Sequence, residues 1–329
     1  MSVSLNEMSR PAAEAFSLTG PEADEIEACA RELCAGYTAV DDPRWVAAAR
    51  SAWEGLPPSV RRKLREYRRS SGATGALLIR GLPVGAASLP PTPTAADSVQ
   101  REVSLPAAVL IMIACGLGDP AAFLAEKSGA LVQNVVPVPG KETFQGNAGS
   151  VALMMHNENA FHEHRPDHVM LLCLRVDHEG EAGLRTSCVR EALPLLPVAT
   201  VEALKRPEFT THAPPSFGAS DAAEPGHPIL FGDAEDPDVR VDFAATTART
   251  PRAESALHAL EKTLDDVSHT HHLAVGDLAI VDNRTTLHGR TAFTPRYDGG
   301  DRWLQRSFVL ADLRRSRSHR PDDGYVLSR

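Results

Sequence analysis

A histidine and a glutamate one residue apart open the chemical reading of this sequence. In Met154-Met155-His156-Asn157-Glu158 an extended backbone sends residues i and i+2 to one face, so His156 and Glu158 project together while Asn157 points away. One imidazole and one carboxylate are two of the three protein ligands of a facial metal centre. The third must come from elsewhere, and His288 in VDNRTTLHGR is a candidate. Two histidines and a carboxylate leave positions open on an octahedral metal and suit non-haem Fe(II) oxygen chemistry. Past His288 the chain reads TAFTPRYDGGDRWLQRSFVL, in which Arg302, Leu304 and Arg306 alternate with Trp303 and Gln305. On one strand face the two arginines start about 13 Å apart. Guanidinium groups turned into an interior must be neutralised, and two small carboxylates in one cavity would do so.

Other polar clusters carry less. His162, His164 and His168 follow the HxE pair, and His269, His271 and His272 belong to HTHH. Neither group has the HExxH spacing of a zinc protease. His162 and His164 read as surface residues or neighbours of the metal centre, and HTHH reads as a solvated loop ahead of a strand. No GxSxG, GxGxxG or GxxxxGK[ST] occurs, so nucleophile-elbow, dinucleotide-binding and P-loop chemistries have no support. Five cysteines without a CxxC pair read as buried thiols in a reducing compartment. Lys plus Arg is 34 against 43 Asp plus Glu, a formal charge of -9, which speaks against a nucleic-acid partner. The basic stretch RRKLREYRR carries an inward stripe of Val60, Leu64 and Tyr67 and reads as a solvated helix face.

The elements that must hold these side chains change along the chain. With 329 residues and 43% hydrophobic content, it can bury a large core, and one domain over 1–329 is the simplest division. Residues 1–70 predict helical decoration: one helix behind Pro21 with Ile26, Ala30 and Leu33, one from Pro43, and one after Pro57-Pro58. The apolar run 105–118 is too short for a bilayer and long enough for a buried helix over 106–116. No signal-peptide pattern precedes it, so the expected setting is the cytoplasm, with no membrane partner. Short apolar runs at 76–84, 168–175, 239–243, 277–282 and 302–310 predict strands. The expected fold is mainly β with helical decoration, α+β overall, its β core spanning 71–315. Oligomeric state is not legible.

The segments GNAGSVALMMHNENAFHEHRPDHVMLLCLR, GLRTSCVR and VDNRTTLHGRTAFTPRYDGGDRWLQRSFV resemble the clavaminate synthase-like group of Fe(II)/2-oxoglutarate-dependent oxygenases. The similarity runs from about Asp42 to the C-terminal DGYVLS and is strongest to members that act on free L-asparagine. It implies a double-stranded β-helix (jelly-roll) core, ferrous iron as cofactor, and 2-oxoglutarate and O2 as co-substrates. Residue by residue it implies His156, Glu158 and His288 as iron ligands. Arg302, helped by the Thr186 hydroxyl, would bind the distal carboxylate of 2-oxoglutarate, and Arg306 the amino acid α-carboxylate. Glu126, Asn147, Glu158 and Asp242 would surround the substrate, with Gln145 nearby, and about 209–224 would form a mobile lid. The implied products are 3-hydroxyasparagine, succinate and CO2, in the service of antibiotic biosynthesis. Asp242 would accept from a side-chain amide and repel the carboxylate of aspartate. Two alternatives stay open. One is 3-hydroxylation of another free amino acid such as L-arginine, with Asp236 and Asp238 as helpers. The other is a non-catalytic, metal-dependent amino-acid-binding protein on the same fold.

Overall fold

The computed structural model describes residues 13–217 and 226–328. Helix α1 (Gly20–Ala35) starts at a reciprocal cap, with the Thr19 side chain accepting from Glu22 N and the Glu22 carboxylate accepting from Thr19 N. Such a cap contributes about 1 kcal/mol. Helix α2 (Pro43–Trp53) is capped by Asp42, and α3 (Pro58–Arg69) turns Val60, Leu64 and Tyr67 inward as its spacing predicts. The three enclose α4 (Leu105–Leu117), which is apolar on all sides because it is packed on all sides.

Beneath α4 lies a large sheet. Its spatial order is Glu14–Ser17, Ala76–Arg80, Leu278–Asp282, His168–Arg175, Trp303–Leu310, Asp119–Phe123 and Val326–Leu327, and Gln133–Val135 also pairs with Trp303–Leu310. A smaller antiparallel sheet comprises His269–His271, Leu184–Cys188, Thr286–Arg290 and Leu153–His156. Alternation sends Met170, Leu172, Ile280 and Val309 toward α4, and Leu171, Cys173, Leu304 and Phe308 toward the inner core shared with Leu184. That two-sided burial explains the unbroken apolar run 168–175. A separate core behind the small sheet joins Leu287 to Leu260 and Leu264 of a helix at Pro251–Asp266. The architecture is the expected double-stranded β-helix with helical decoration.

Several elements differ from expectation. The N-terminal region is not wholly helical, since Glu14–Ser17 adds a parallel strand to the large sheet, and Val326–Leu327 extends that sheet beyond residue 315. Within 239–243 only Val239 belongs to a strand, Pro237–Val239. The Pro251–Asp266 helix was not foreseen. HTHH is not a loop: His269–His271 is an edge strand of the small sheet. Of the expected lid, Phe209–Thr211 is a buried strand paired with Thr246–Ala248, while 218–224 lies outside the described residues. Among the described residues, no helix is long and apolar enough to cross a membrane.

Candidate active site

Strand register brings distant residues into one row. Across the small sheet Thr186 opposes His288, His288 opposes His156, and beyond the sheet edge His156 is bridged to Asp242. Directly opposed residues of antiparallel strands share a face. Asn157 points the other way, donating through Nδ2 to the carbonyls of Asn283 and Thr286, both at 3.1 Å, and accepting from Val241 N at 3.0 Å. The strand ends at His156, so Glu158 reaches the shared face from the following turn, fixed by its N–H donating to Asn283 Oδ1 at 2.8 Å. Ligand atoms of His156, Glu158 and His288 all lie within 4.8 Å of one another. Gly289 permits this approach: a Cβ there would sit 2.6 Å from the Leu153 carbonyl oxygen and 3.0 Å from Met155 Sδ.

The protonation states suit a divalent metal. His156 Nδ1 lies 2.9 Å from the Met154 carbonyl, which can only accept, so Nδ1 is the donor nitrogen and Nε2 is the one left to face a metal. Burial, reinforced by neighbouring His156, pushes His288 down to about 4 and keeps it neutral. Burial would raise the Glu158 carboxyl, yet the Arg306 guanidinium outweighs it and holds the group well below the usual carboxylate range. A neutral His288 imidazole and an ionised Glu158 carboxylate are what metal ligation requires, and the donor set of two histidines and one carboxylate fits ferrous iron. His162 and His164 stand outside this group: His162 packs against Phe123 with ring centroids 4.8 Å apart, and His164 meets His319 at 4.9 Å.

Arg302 and Arg306 do not face one cavity. Arg306 is 2% exposed and already neutralised. Its Nη1 donates to Glu158 at 2.8 Å, and its Nη2 donates to Glu126 and Gln133. The Asn147 side-chain carbonyl accepts from both, at 2.9 and 3.1 Å. Gln133 is a partner that sequence reasoning missed. Arg302 precedes a register shift between Trp303 and Leu304 and lines a separate cavity of about 110 Å³ with Cys173, Asp177 and His272. Among the described residues, none forms an ion pair or hydrogen bond with its guanidinium, and burial lowers its pKa. Arg290, also missed, is buried nearby; burial, then the charge of Arg302, pushes it down to about 9. The signal for Arg290 was present, because it alternates with His288 on one strand.

A cavity of about 600 Å³ opens over the row, lined by His156, Glu158, Glu126, Asn147 and Asp242. Phe161 and Phe217 meet at its wall with centroids 4.7 Å apart, so the 212–217 part of the expected lid does border the site. Asp242 Oδ1 accepts from Ala244 N at 2.9 Å. Gln145 also lines the cavity, but its amide is committed to backbone, donating to Ala152 O at 2.9 Å and accepting from Met154 N at 3.2 Å. Asp236 pairs with Arg190 at 2.6 Å and Asp238 with Arg284 at 2.5 Å, and neither lines the cavity. Thr186 is buried, its Oγ1 2.8 Å from Nε2 of His271. Burial and the adjacent His269 push His271 down to about 4.

The same layout occurs among known proteins. Residues 53–308 match the model of the taurine catabolism dioxygenase TauD, TfdA family. The chain is 61% identical to the L-asparagine oxygenase of Streptomyces coelicolor over 94% of each chain. It is 33% identical to clavaminate synthase 2 of Streptomyces clavuligerus, covering 89% of this chain and 91% of that one. Among solved structures, asparagine oxygenase in complex with Fe(II), (2S,3S)-3-hydroxyasparagine and succinate superposes with a TM-score of 0.93 at 60% identity. That match covers 96% of this chain and 99% of the other.

Proposed function

The chain belongs to the TauD/TfdA family of dioxygenases, and from that premise we propose that it hydroxylates free L-asparagine at the β-carbon, consuming 2-oxoglutarate and O2. The products are 3-hydroxyasparagine, succinate and CO2. The observation that carries this reading is the cross-strand row that sets Asp242 and a cavity of about 600 Å³ beside three convergent metal-ligand atoms. One functional unit extends over the whole chain, with its helical layer as support. The five cysteines are unpaired, which fits work in the cytoplasm.

His156, Glu158 and His288 would hold the iron. When bound, ferrous iron with 2-oxoglutarate supplies the oxidative decarboxylation by O2 that drives C–H hydroxylation. The residues of this chain do the placing. Arg302 would grip the distal carboxylate of 2-oxoglutarate with a charge-assisted fork, and Thr186, opposite His288, adds a hydroxyl. At the other end, the zwitterion of the amino acid matches the Arg306–Glu126 pair, ammonium to Glu126 and carboxylate to Arg306, with Asn147 completing the fit. Asp242 accepts from the side-chain amide. Arg306 is bonded to Glu158 and Asp242 is bridged to His156, so the metal ligands lie between the two substrate anchors. The β-carbon lies between those same anchors in the substrate. Phe161 and Phe217 would form an apolar wall beside the substrate.

L-Arginine fits less well, because Asp236 and Asp238 are spent on Arg190 and Arg284 and leave Asp242 without acidic help. Mass spectrometry of a panel of free amino acids incubated with the iron-loaded protein, 2-oxoglutarate and air tests the substrate. We expect gain of one oxygen atom on asparagine and none on arginine or aspartate; the reverse pattern would displace this reading.

A further inference from the structure

We propose that Arg290 is a second cationic anchor for the distal carboxylate of the co-substrate, shared with Arg302; this rests on the function proposed above. Arg290 and His288 are alternate residues of one strand and face the same side. Arg290 is 4% exposed and Arg302 6%. Their guanidinium carbons lie 5.4 and 5.8 Å from the centroid of the same ring, Phe293.

Among the described residues, neither cation has a counter-charge within ion-pair distance, although Asp177 lies in electrostatic range of Arg302. Arg290 Nη2 donates to the Val151 carbonyl at 3.0 Å, and its buried Nε has no partner. Asp177, the acid on the Arg302 cavity, has its oxygens occupied by Glu181 N at 2.8 Å and Ala182 N at 3.1 Å. Desolvating an unpaired cation costs several kcal/mol, and a second cation beside it adds repulsion. Contact with one aromatic face returns only about 1–2 kcal/mol of that. Two buried guanidiniums around one ring are therefore built for an anion that arrives from outside.

A carboxylate can accept from two guanidiniums and a hydroxyl at once, because its two oxygens offer about four acceptor positions. In a 2-keto dicarboxylic acid the keto group and near carboxylate belong to the metal end, so only the far carboxylate is available here. Arg290 then reads the length and charge of the keto acid. A monocarboxylic keto acid leaves both cations unpaired.

The test compares anaerobic binding of 2-oxoglutarate with that of 2-oxobutyrate, which lacks the distal carboxylate. Binding to the Fe(II)-loaded protein is followed by the visible charge-transfer absorption of the chelated keto acid. In Arg290→Gln the Kd for 2-oxoglutarate should rise by about tenfold or more, while that for 2-oxobutyrate stays within about threefold of wild type. Arg290→Lys should keep part of the preference, having charge without the fork. Removing an unpaired buried cation should also raise the melting temperature of the metal-free Arg290→Gln protein in low salt. If Arg290→Gln keeps the wild-type preference while Arg302→Gln loses it, or weakens both acids in parallel, the inference is overturned and the proposed function stands. If Arg302→Gln also keeps the preference, the assignment of this end to 2-oxoglutarate fails as well.

Discussion

In the proposed reaction, Asp242 is the residue on which substrate choice would turn. Its bridge to His156 fixes the backbone, and its Oδ1 is held by Ala244 N, so the carboxylate cannot swing away to relieve repulsion. Asparagine offers it an N–H; aspartate offers it a like charge. Asp242→Asn should therefore lower kcat/KM for asparagine by about tenfold and raise that for aspartate by at least as much. Steady-state assays that leave the preference untouched would remove Asp242 from this role. The buried imidazoles set a second expectation. His288 and His271 are both held at about 4, whereas an exposed imidazole titrates near ~6.5. Between those values the unfolded chain takes up protons that the folded chain refuses, so stability is full above that window and falls as pH drops through it. Urea midpoints of the metal-free protein should decline from pH ~6.5 toward ~4, and His271→Gln should decline less steeply. A midpoint flat across that range would show that neither ring resists protonation in the fold.

At the scale of elements, the site depends on two strands approaching without a side chain between them. Gly289→Ala places a Cβ against the Leu153 carbonyl and Met155, where backbone cannot yield cheaply. The strands bearing His156 and His288 must separate, at a cost of about 1–3 kcal/mol. The melting temperature should drop and Mn(II) affinity should weaken by about tenfold in equilibrium dialysis; unchanged affinity would mean that the strand spacing does not set the ligand geometry. Much of this level was legible. Runs such as 168–175 and 302–310 announce strands because both of their faces are buried. The Pro251–Asp266 helix was equally written, with Thr250 as cap, Pro251 in the first turn, and Ala253, Ala256, Leu260 and Leu264 at helical spacing. Apolar density alone does not mark it, since its other face is charged. HTHH hid its strand for the opposite reason: a three-residue edge strand of polar residues has no apolar alternation to display. The register shift at Trp303/Leu304, which parts Arg302 from Arg306, leaves no trace in residue types.

For the molecule as a whole, the two sheets divide the labour. The small sheet carries Thr186, His288 and His156 in register, and the large sheet carries Arg306, with Arg302 just ahead of its strand. The proposed substrate and co-substrate sites lie where the two sheets meet, and α4 packs against the large sheet from behind. The His156–Glu158 pair was readable from its spacing, and His288 joined it as a candidate that the family resemblance supported; the fold brings the three together. The neutralisation of Arg306 by Glu126 was not readable, because it is a pairing across the fold between residues far apart in the chain. The most direct measurement is the yield of succinate and of 3-hydroxyasparagine from the Fe(II)-loaded protein, with and without asparagine. Equal amounts of the two products with asparagine, and little succinate without it, are predicted. Succinate released regardless of asparagine, or hydroxyasparagine formed without 2-oxoglutarate, would contradict the account.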